Sequence, residues 1–427
     1  MSREAWAVVD LGFGDAGKGS ITDFLVRDRG ASLVVRFNGG AQAGHNVVTA
    51  DGRHHTFSQF GAGLFAGAEG LLGPAFLLHP LGMAVEAEHL ERVGVRDPWG
   101  RTWVDRRARV ITPYQQAALR IRERLRGDQA HGTTGVGIGE CVSDGLRHPE
   151  ERLTAGDLDD APRVRARLQE QRERKRAELI TLGASVDELE IFEDPALIER
   201  VVGVWRDVAE RMRRLDEGET LAYIERSPRV VFEGAQGVLL DETWGFHPHT
   251  TWSDCTFAEA EALAPHRRYL RLGVTRAYAV RHGAGPFPTE RAVDLEEPHN
   301  PSDGWQGAFR RGALDGVLLR YALEVCGGVD GLAVTCLDHV PRPAGVDAYR
   351  TSAGTVRRLD PGPASDLGHR ERLGAWLRTV TPVFAERAGV PFVEAATDQD
   401  VWLVSEGPTA AHKRWRAPVG AVPTGRP

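Results

Sequence analysis

A run of apolar residues, Ala7-Val8-Val9-Asp10-Leu11, leads into the loop Gly12-Phe13-Gly14-Asp15-Ala16-Gly17-Lys18-Gly19-Ser20 and then into the helix-like Ile21-Thr22-Asp23-Phe24-Leu25-Val26. A strand, a glycine turn and a helix in that order aim backbone N–H groups and the positive end of a helix at one point, where a phosphate binds. A second strand-like run, Leu33 to Phe37, ends in Asn38-Gly39-Gly40-Ala41-Gln42-Ala43-Gly44-His45-Asn46. If the two strands are neighbours, both loops lie at their carboxyl ends, the side on which open α/β sheets bind ligands. The expected fold is therefore α/β, a large and mostly parallel central sheet with flanking helices and a P-loop-like nucleotide site. The plainer alternative is an ordinary glycine turn in which Asp15 is a cap.

Lysine usage sharpens the phosphate reading. The chain relies on arginine and carries only Lys18, Lys175 and Lys413, and one of these sits inside the glycine loop. A slim ammonium fits between phosphate oxygens where a forked guanidinium is too broad. Gly12 to Lys18 matches G-x-x-x-x-G-K, but Gly19 stands where Ser or Thr is required and Ser20 comes one place late, which disfavours a generic P-loop NTPase. Asp15 in mid-loop is unusual, because a carboxylate beside phosphate is repelled unless a metal or a proton transfer engages it.

Composition narrows the class. A net charge of -7 over 427 residues gives no general attraction to nucleic acid or anionic membranes, so phosphate binding must be local. Cys141, Cys255, Cys326 and Cys336 are far apart, which fits a reducing cytoplasm rather than a disulfide framework or zinc knuckle. Neither a leader nor a membrane-length apolar run is readable. Helices are expected at Pro80–Arg92 and Pro113–Arg126, a half-exposed strand over Trp103–Thr112, and core strands at Arg229–Phe232, Gly331–Cys336 and Val401–Val404. Residues from 150 to about 225 read as a charge-dense helical subregion with solvated faces, without chemistry of its own. No linker separates it, so residues 1–427 are expected to form one domain.

Three later stretches repeat the glycine-turn theme: His131 to Gly139, with hydroxyls suited to a monophosphate; Glu233 to Gly237, whose Gln236 amide matches the edge of an oxopurine; and Gly283 to Glu290. His247 and His249 form an H-x-H pair, for which no third metal ligand is near in sequence.

The string GDAGKGS followed by VVRFNGGAQAGHNVV resembles the adenylosuccinate synthetase family, whose pattern reads GDEGKGK and then GG-HNAGH-T. The order continues through GTTGVGIG at 132–139, VVFEGAQGVLLD at 230–241, RHGAGPFPTE at 281–290, LDGVLLRYA at 314–322, TCLDH at 335–339 and VSEGP at 404–408. The resemblance implies GTP on Gly14, Gly17, Lys18, Gly19, Ser20, Gly44 and Asn46, with guanine read by Asp338, Ser405 and Gly407. It implies a purine monophosphate on Asp15, Gln42, Thr134, Arg147, Gln236 and Thr251. Gln306, Arg310 and Arg311 fall on the amino-substrate loop. The family's arginine that reaches the neighbouring subunit's nucleotide falls on His148, with Arg147 one place before it. A homodimer is implied, with GTP, a purine nucleotide and aspartate or another amine as partners and neither nucleic acid nor membrane.

The chemistry this implies is replacement of a purine 6-oxygen by an amine. That oxygen leaves poorly until it is phosphorylated, and it becomes a nucleophile when N1 loses its proton. Asp15 is the expected base and, with the Gly44 carbonyl, a Mg2+ ligand; Lys18 and His45 are expected to stabilise the transferring charge. The sequence departs from the family at Ala16, Ser20, Ala41 and Gln42 around the phosphates and base, at Cys336 where a lysine would cover the base, and most in the amino-acid loop. There A-T-T-G-R-x-R-R becomes Gly304-Trp305-Gln306-Gly307-Ala308-Phe309-Arg310-Arg311, which loses part of a carboxylate clamp. Three readings stand at this point: ligation of aspartate to IMP, or a divergent paralogue with another amine or purine; a purine-nucleotide-binding protein without catalysis; and a GTPase-like switch.

Overall fold

The computed structural model describes residues 4–293, 295, 305–340 and 345–416. Its centre is β1 (Glu4–Asp10), whose side chains are apolar on both faces. Ala5, Ala7 and Val9 enter one core, while Trp6 and Val8 join Ile21, Phe24 and Leu25 of α1 (Lys18–Arg29) in another. Apolar residues on both faces mark a strand covered by helices on each side.

Ten strands form the main sheet, in the order Lys413–Trp415, Val401–Ser405, Gly331–Thr335, Tyr269–Arg276, β1, Arg229–Glu233, β2 (Leu33–Arg36), then Glu69–Leu72, Thr102–Asp105 and Arg213–Leu215. All pair in parallel except Lys413–Trp415, which runs antiparallel at one edge. The expected sheet is present. Strand order changes direction at β1, so a crevice opens at the carboxyl ends of β1 and its neighbours. At those ends stand the buried Asp10 of β1, Arg36 of β2, Glu233 and Thr335. A two-stranded ribbon, β3 (His45–Val48) with β4 (His54–Phe57), covers the start of α1.

Pro80–Arg92 and Pro113–Arg126 are helices over the expected residues. The second starts with Pro113 behind a Thr112–Gln115 capping box, which satisfies two N–H groups of its first turn. Trp103–Thr112 is not one strand: Thr102–Asp105 and Arg109–Val110 are separated by a turn in which the Asp105 carboxylate accepts the Arg107 N–H. Nor are the charge-dense helices only solvated. Lys175, fully buried on the helix Ala161–Thr181, donates to Glu140 at 2.6 Å and Asp144 at 3.1 Å on the helix Ile138–Arg147. That pin fixes a helix that walls the site. Beyond it, Arg213–Leu215 joins the edge of the main sheet.

Candidate functional site

The glycine loop is shaped from below by Asp10, a buried residue. Its carboxylate accepts the N–H groups of Gly12 and Ala16, both at 2.7 Å, and the Lys18 ammonium at 3.2 Å. Lys18 also donates to the Gly14 carbonyl at 2.8 Å. Its ammonium thus lies under the loop with its charge matched. The glycine at position 19 has a packing cause: a Cβ there would meet the Cβ of His45 at 2.7 Å. The first turn of α1 and β3 can touch only without a side chain, so the Ser or Thr of an ordinary P-loop has no room. A Cβ on Gly237 would stand 2.3 Å from the Gly12 carbonyl oxygen, so the Gln236-Gly237 turn seats directly on the loop.

His45 is buried and oriented. Its Nδ1 is 2.7 Å from Oε1 of Glu233, whose Oε2 accepts the Ala62 N–H at 3.0 Å and lies 3.9 Å from Nε of Arg36. Burial, opposed by Glu233, pushes His45 down to about 4, so the ring is neutral at pH 7 with its proton on Nδ1. Burial works against ionised Glu233, but His45 and Arg36 hold it below the usual carboxylate value. Nε2 of His45 has no partner among the described residues.

That nitrogen belongs to a residue lining a cavity of about 900 Å³. Asp15, Gln42, Gly44, Thr134, Arg147, Gln236, Thr251 and Gln306 line it too, so residues scattered from the first loop to Gln306 converge on one space. Burial raises the Asp15 carboxyl, against the opposing pull of His282 and Arg276; Nε2 of His282 is 3.8 Å from Asp15. A carboxylate raised in this way is a better base than free Asp. Both amide atoms of Gln42, Oε1 of Gln236 and Nδ1 of His282 are buried without partners among the described residues. Gln236 holds its place with a left-handed backbone, φ 55°. Arg147 stands on the wall of its own chain's cavity and donates to Ser143 Oγ at 2.7 Å, while His148 lies 3.8 Å from Glu150. His247 and His249 line the same cavity; His247 Nε2 meets the Glu242 carbonyl and His249 Nδ1 the His131 carbonyl.

Other expected residues lie outside that cavity. Gly17, Gly19 and Ser20 open α1, where Ser20 Oγ donates to the Gly17 carbonyl. Asn46 accepts from Thr56 and meets His54 within the ribbon. Asp338 and the Ser405–Gly407 turn follow the adjacent strands Gly331–Thr335 and Val401–Ser405; Asp338 is 3.3 Å from His339, and Ser405 donates to the Gly407 carbonyl at 3.1 Å. Among the described residues of the amino-substrate loop, only Gln306 lines the cavity. Arg310 pairs with Glu290 at 2.8 Å and the Gly285 carbonyl at 3.0 Å, and Arg311 lies against the Phe309 ring. Trp305 packs on Gly135 and under Arg120, and Gly304 lies outside the described residues.

Residues 7–348 match the sequence profile of adenylosuccinate synthetase. The adenylosuccinate synthetase of Anaeromyxobacter dehalogenans is 32% identical over 399 residues, covering 90% of this chain and 86% of that one. The enzyme of Clostridium acetobutylicum is 30% identical, covering 96% and 98%. The chain belongs to the adenylosuccinate synthetase family. It is thereby a ligase of purine biosynthesis. The same fold is seen in fully ligated adenylosuccinate synthetase of Plasmodium falciparum, with a TM-score of 0.76 at 20% identity over 97% of this chain and 100% of that one. It is also seen in the cyanophage S-2L succinoaminodeoxyadenylate synthetase bound to dGMP and dATP, with a TM-score of 0.64 at 18% identity over 98% and 97%.

Within this family member, Asp10, Arg36 and Glu233 were not picked out by the sequence reading. Asp10 interrupts an otherwise apolar core strand, a signal that was available. Arg36 carries the same signal in its own strand. Glu233 was visible only as the residue before a glycine turn. Asp15 and Gly44 line one cavity, and carboxylate with carbonyl oxygen is the hard donor set that Mg2+ takes beside phosphate oxygens.

Proposed function

We propose that this chain joins L-aspartate to IMP with GTP, giving adenylosuccinate, GDP and phosphate. The observation that carries the reading is the convergence of Asp15, Gln42, His45 and Gln236 on one cavity, three of them with buried polar atoms left unpartnered. Unpaired buried groups are expected where ligand atoms complete the bonding.

In this reading the amides of Gln42 and Gln236 hold the purine edge, and Thr134, Thr251 and Arg147 face its phosphate. Asp15 accepts the N1 proton. The 6-oxygen, now negative, attacks the γ-phosphorus of GTP, whose bond to the β-bridging oxygen breaks. His45, held through Nδ1 by Glu233, presents Nε2 to the transferring group. Negative phosphoryl oxygens raise the ring's affinity for a proton, so Nε2 carries one as charge develops. Lys18 contributes fixed positive charge under the loop. Asp15 and Gly44 would hold Mg2+, which when bound neutralises phosphate charge. The amine of aspartate then displaces phosphate from C6, and Gln306 is the loop residue that meets it. Guanine is read by Asp338 and Ser405. The protein works in the cytoplasm as a homodimer.

A paralogue with another amine or purine is not favoured, given the family match through residue 348 and retention of Asp15, Lys18 and His45. Purified protein with GTP, Mg2+, IMP and L-aspartate should release phosphate and form a product of adenylosuccinate mass, with neither in the absence of IMP. Phosphate release that ignores IMP, or none at all, sinks the proposal.

A further inference from the structure

Ser405, Glu406, Gly407, Pro408 and Thr409 form a turn whose end is tied by the pairing of Ser405 with Lys413 across the antiparallel edge of the sheet. The Glu406 N–H donates to the His412 carbonyl at 3.0 Å, closing the same turn. Lys413 then folds back into it. Its ammonium meets the carbonyl oxygens of Thr409 at 3.1 Å, Pro408 at 3.4 Å and Gly407 at 3.5 Å, and the residue is 6% exposed. Three carbonyl dipoles pointing at one buried spot repel one another unless a cation stands there. The Gly407 carbonyl also accepts from Ser405 Oγ, so the ammonium and the base-reading hydroxyl share an acceptor.

We propose that Lys413 is the positioning residue of the guanine-reading turn, holding Ser405 to Thr409 in shape from beneath. This rests on the reading of Asp338 and Ser405 as the guanine site. Cys336 stands on the neighbouring turn, with a left-handed backbone at φ 55°. The chain otherwise uses lysine only at Lys18 and Lys175, both buried against carboxylates. Each of the three lysines thus occupies an enclosed position, and the third is this turn.

The groups facing the ammonium are Asp23 on α1, itself paired with Arg27, and Cys336 and Asp338 on the adjacent turn, with His339 beside Asp338; His412 and the Glu406–Arg414 pair flank the turn itself. Burial pulls Lys413 down to about 8. A lysine whose folded value is lowered loses its charge as pH rises through that value, so the turn loosens between pH 7 and 8.5.

The test compares wild type with Lys413→Met, Lys413→Gln and Lys413→Arg, using GTP, IMP and aspartate as substrates. Removing charge-assisted bonds from the turn should raise KM for GTP about ten-fold or more in the Met and Gln variants. KM for IMP and kcat should stay within about three-fold, and Arg should restore KM for GTP. In wild type KM for GTP should climb between pH 7 and 8.5 more steeply than in Lys413→Arg, which shares the nucleotide's own titration. Unchanged KM for GTP in folded Met and Gln variants overturns the proposal. So does an equal loss for all substrates, which would make Lys413 a general structural residue. If Met and Gln variants do not fold, parallel pH profiles of wild type and Lys413→Arg overturn it. Equal use of ATP and GTP by wild type instead refutes the guanine reading beneath it.

Discussion

Glu233→Gln isolates the device that orients His45. Glutamate at 233 offers two acceptors, and both are used: Oε1 by His45 Nδ1 at 2.7 Å and Oε2 by the Ala62 N–H at 3.0 Å. Glutamine offers one oxygen, so one of those donors must lose its acceptor or face an NH2 group. The charge change adds to this. Arg36, buried with its guanidinium on the carbonyls of Ser58 and Phe60, is 3.9 Å from Glu233. At an effective dielectric of about 20 that attraction is about 4 kcal/mol, and breaking a buried pair by removing one partner destabilises by about 3–5 kcal/mol. Most domains have about 5–15 kcal/mol in total, so the variant should fold at low temperature with a much lower urea midpoint.

Catalysis should suffer separately. Without the carboxylate, the His45 ring is harder to protonate and its orientation is no longer fixed through Nδ1. Loss of one hydrogen bond to a charged group is worth about 1.5–3 kcal/mol, or about ten- to a hundred-fold in kcat. Phosphate release measured well below the melting range, with NMR titration of His45, reads both effects. Adding His45→Asn to Glu233→Gln should lower kcat little further than His45→Asn alone, because the glutamate acts through the histidine. Wild-type urea midpoint and kcat in Glu233→Gln, or losses that simply multiply in the double variant, would refute the reasoning.

Asp15→Asn should lower turnover by about 10²–10⁴-fold while leaving the melting temperature unchanged or raised, since a carboxyl whose folded pKa is raised weakens the fold at neutral pH; near-normal turnover excludes Asp15 as base. Lys175→Met should lower stability by about 3–5 kcal/mol in urea unfolding, because Glu140 and Asp144 are left as buried charges. His45 and His249 both sit at about 4 in the folded chain against 6.5 unfolded, so stability should be full above pH 6.5 and fall as pH drops toward 4; a flat profile of unfolding free energy over that window contradicts the assigned burial. Chelation by EDTA should stop phosphate release and added Mg2+ should restore it, with turnover in excess EDTA as the contrary result.

The sheet was legible because its strands are apolar on both faces and end in glycine turns, a pattern with few alternative folds. Asp15, Gln42, His45, Thr134 and Gln236 were legible as members of spaced motifs, and the cavity gathers them. What sequence could not give was charge pairing across long separations. Nothing in the spacing of His45 and Glu233, or of Lys175 and Glu140, announces contact, because parallel crossovers bring together residues far apart in the chain. The break of Trp103–Thr112 into two strands was lost for a related reason: alternating basic and apolar residues imitate a half-exposed strand, while the Asp105 carboxylate turns the chain. Gly19, read at first only as a departure from a P-loop, has its cause in the Cβ of a residue on another element.

These charge pairs explain why the cavity can be both polar and selective. Asp10 pairs with Lys18, Glu233 holds His45 and stands near Arg36, and Glu140 with Asp144 pairs with Lys175, so these charges find their counterparts inside the protein. Among the residues that line the cavity, the buried atoms left without a partner include both amide atoms of Gln42, Oε1 of Gln236, Nε2 of His45 and Nδ1 of His282. Each unpaired buried atom weakens the empty fold by about 1–3 kcal/mol. A ligand that supplies the missing partners recovers that energy, whereas one of similar size without them does not. Under the proposed reaction, discrimination among purines is expected to follow from the bonding pattern of these atoms.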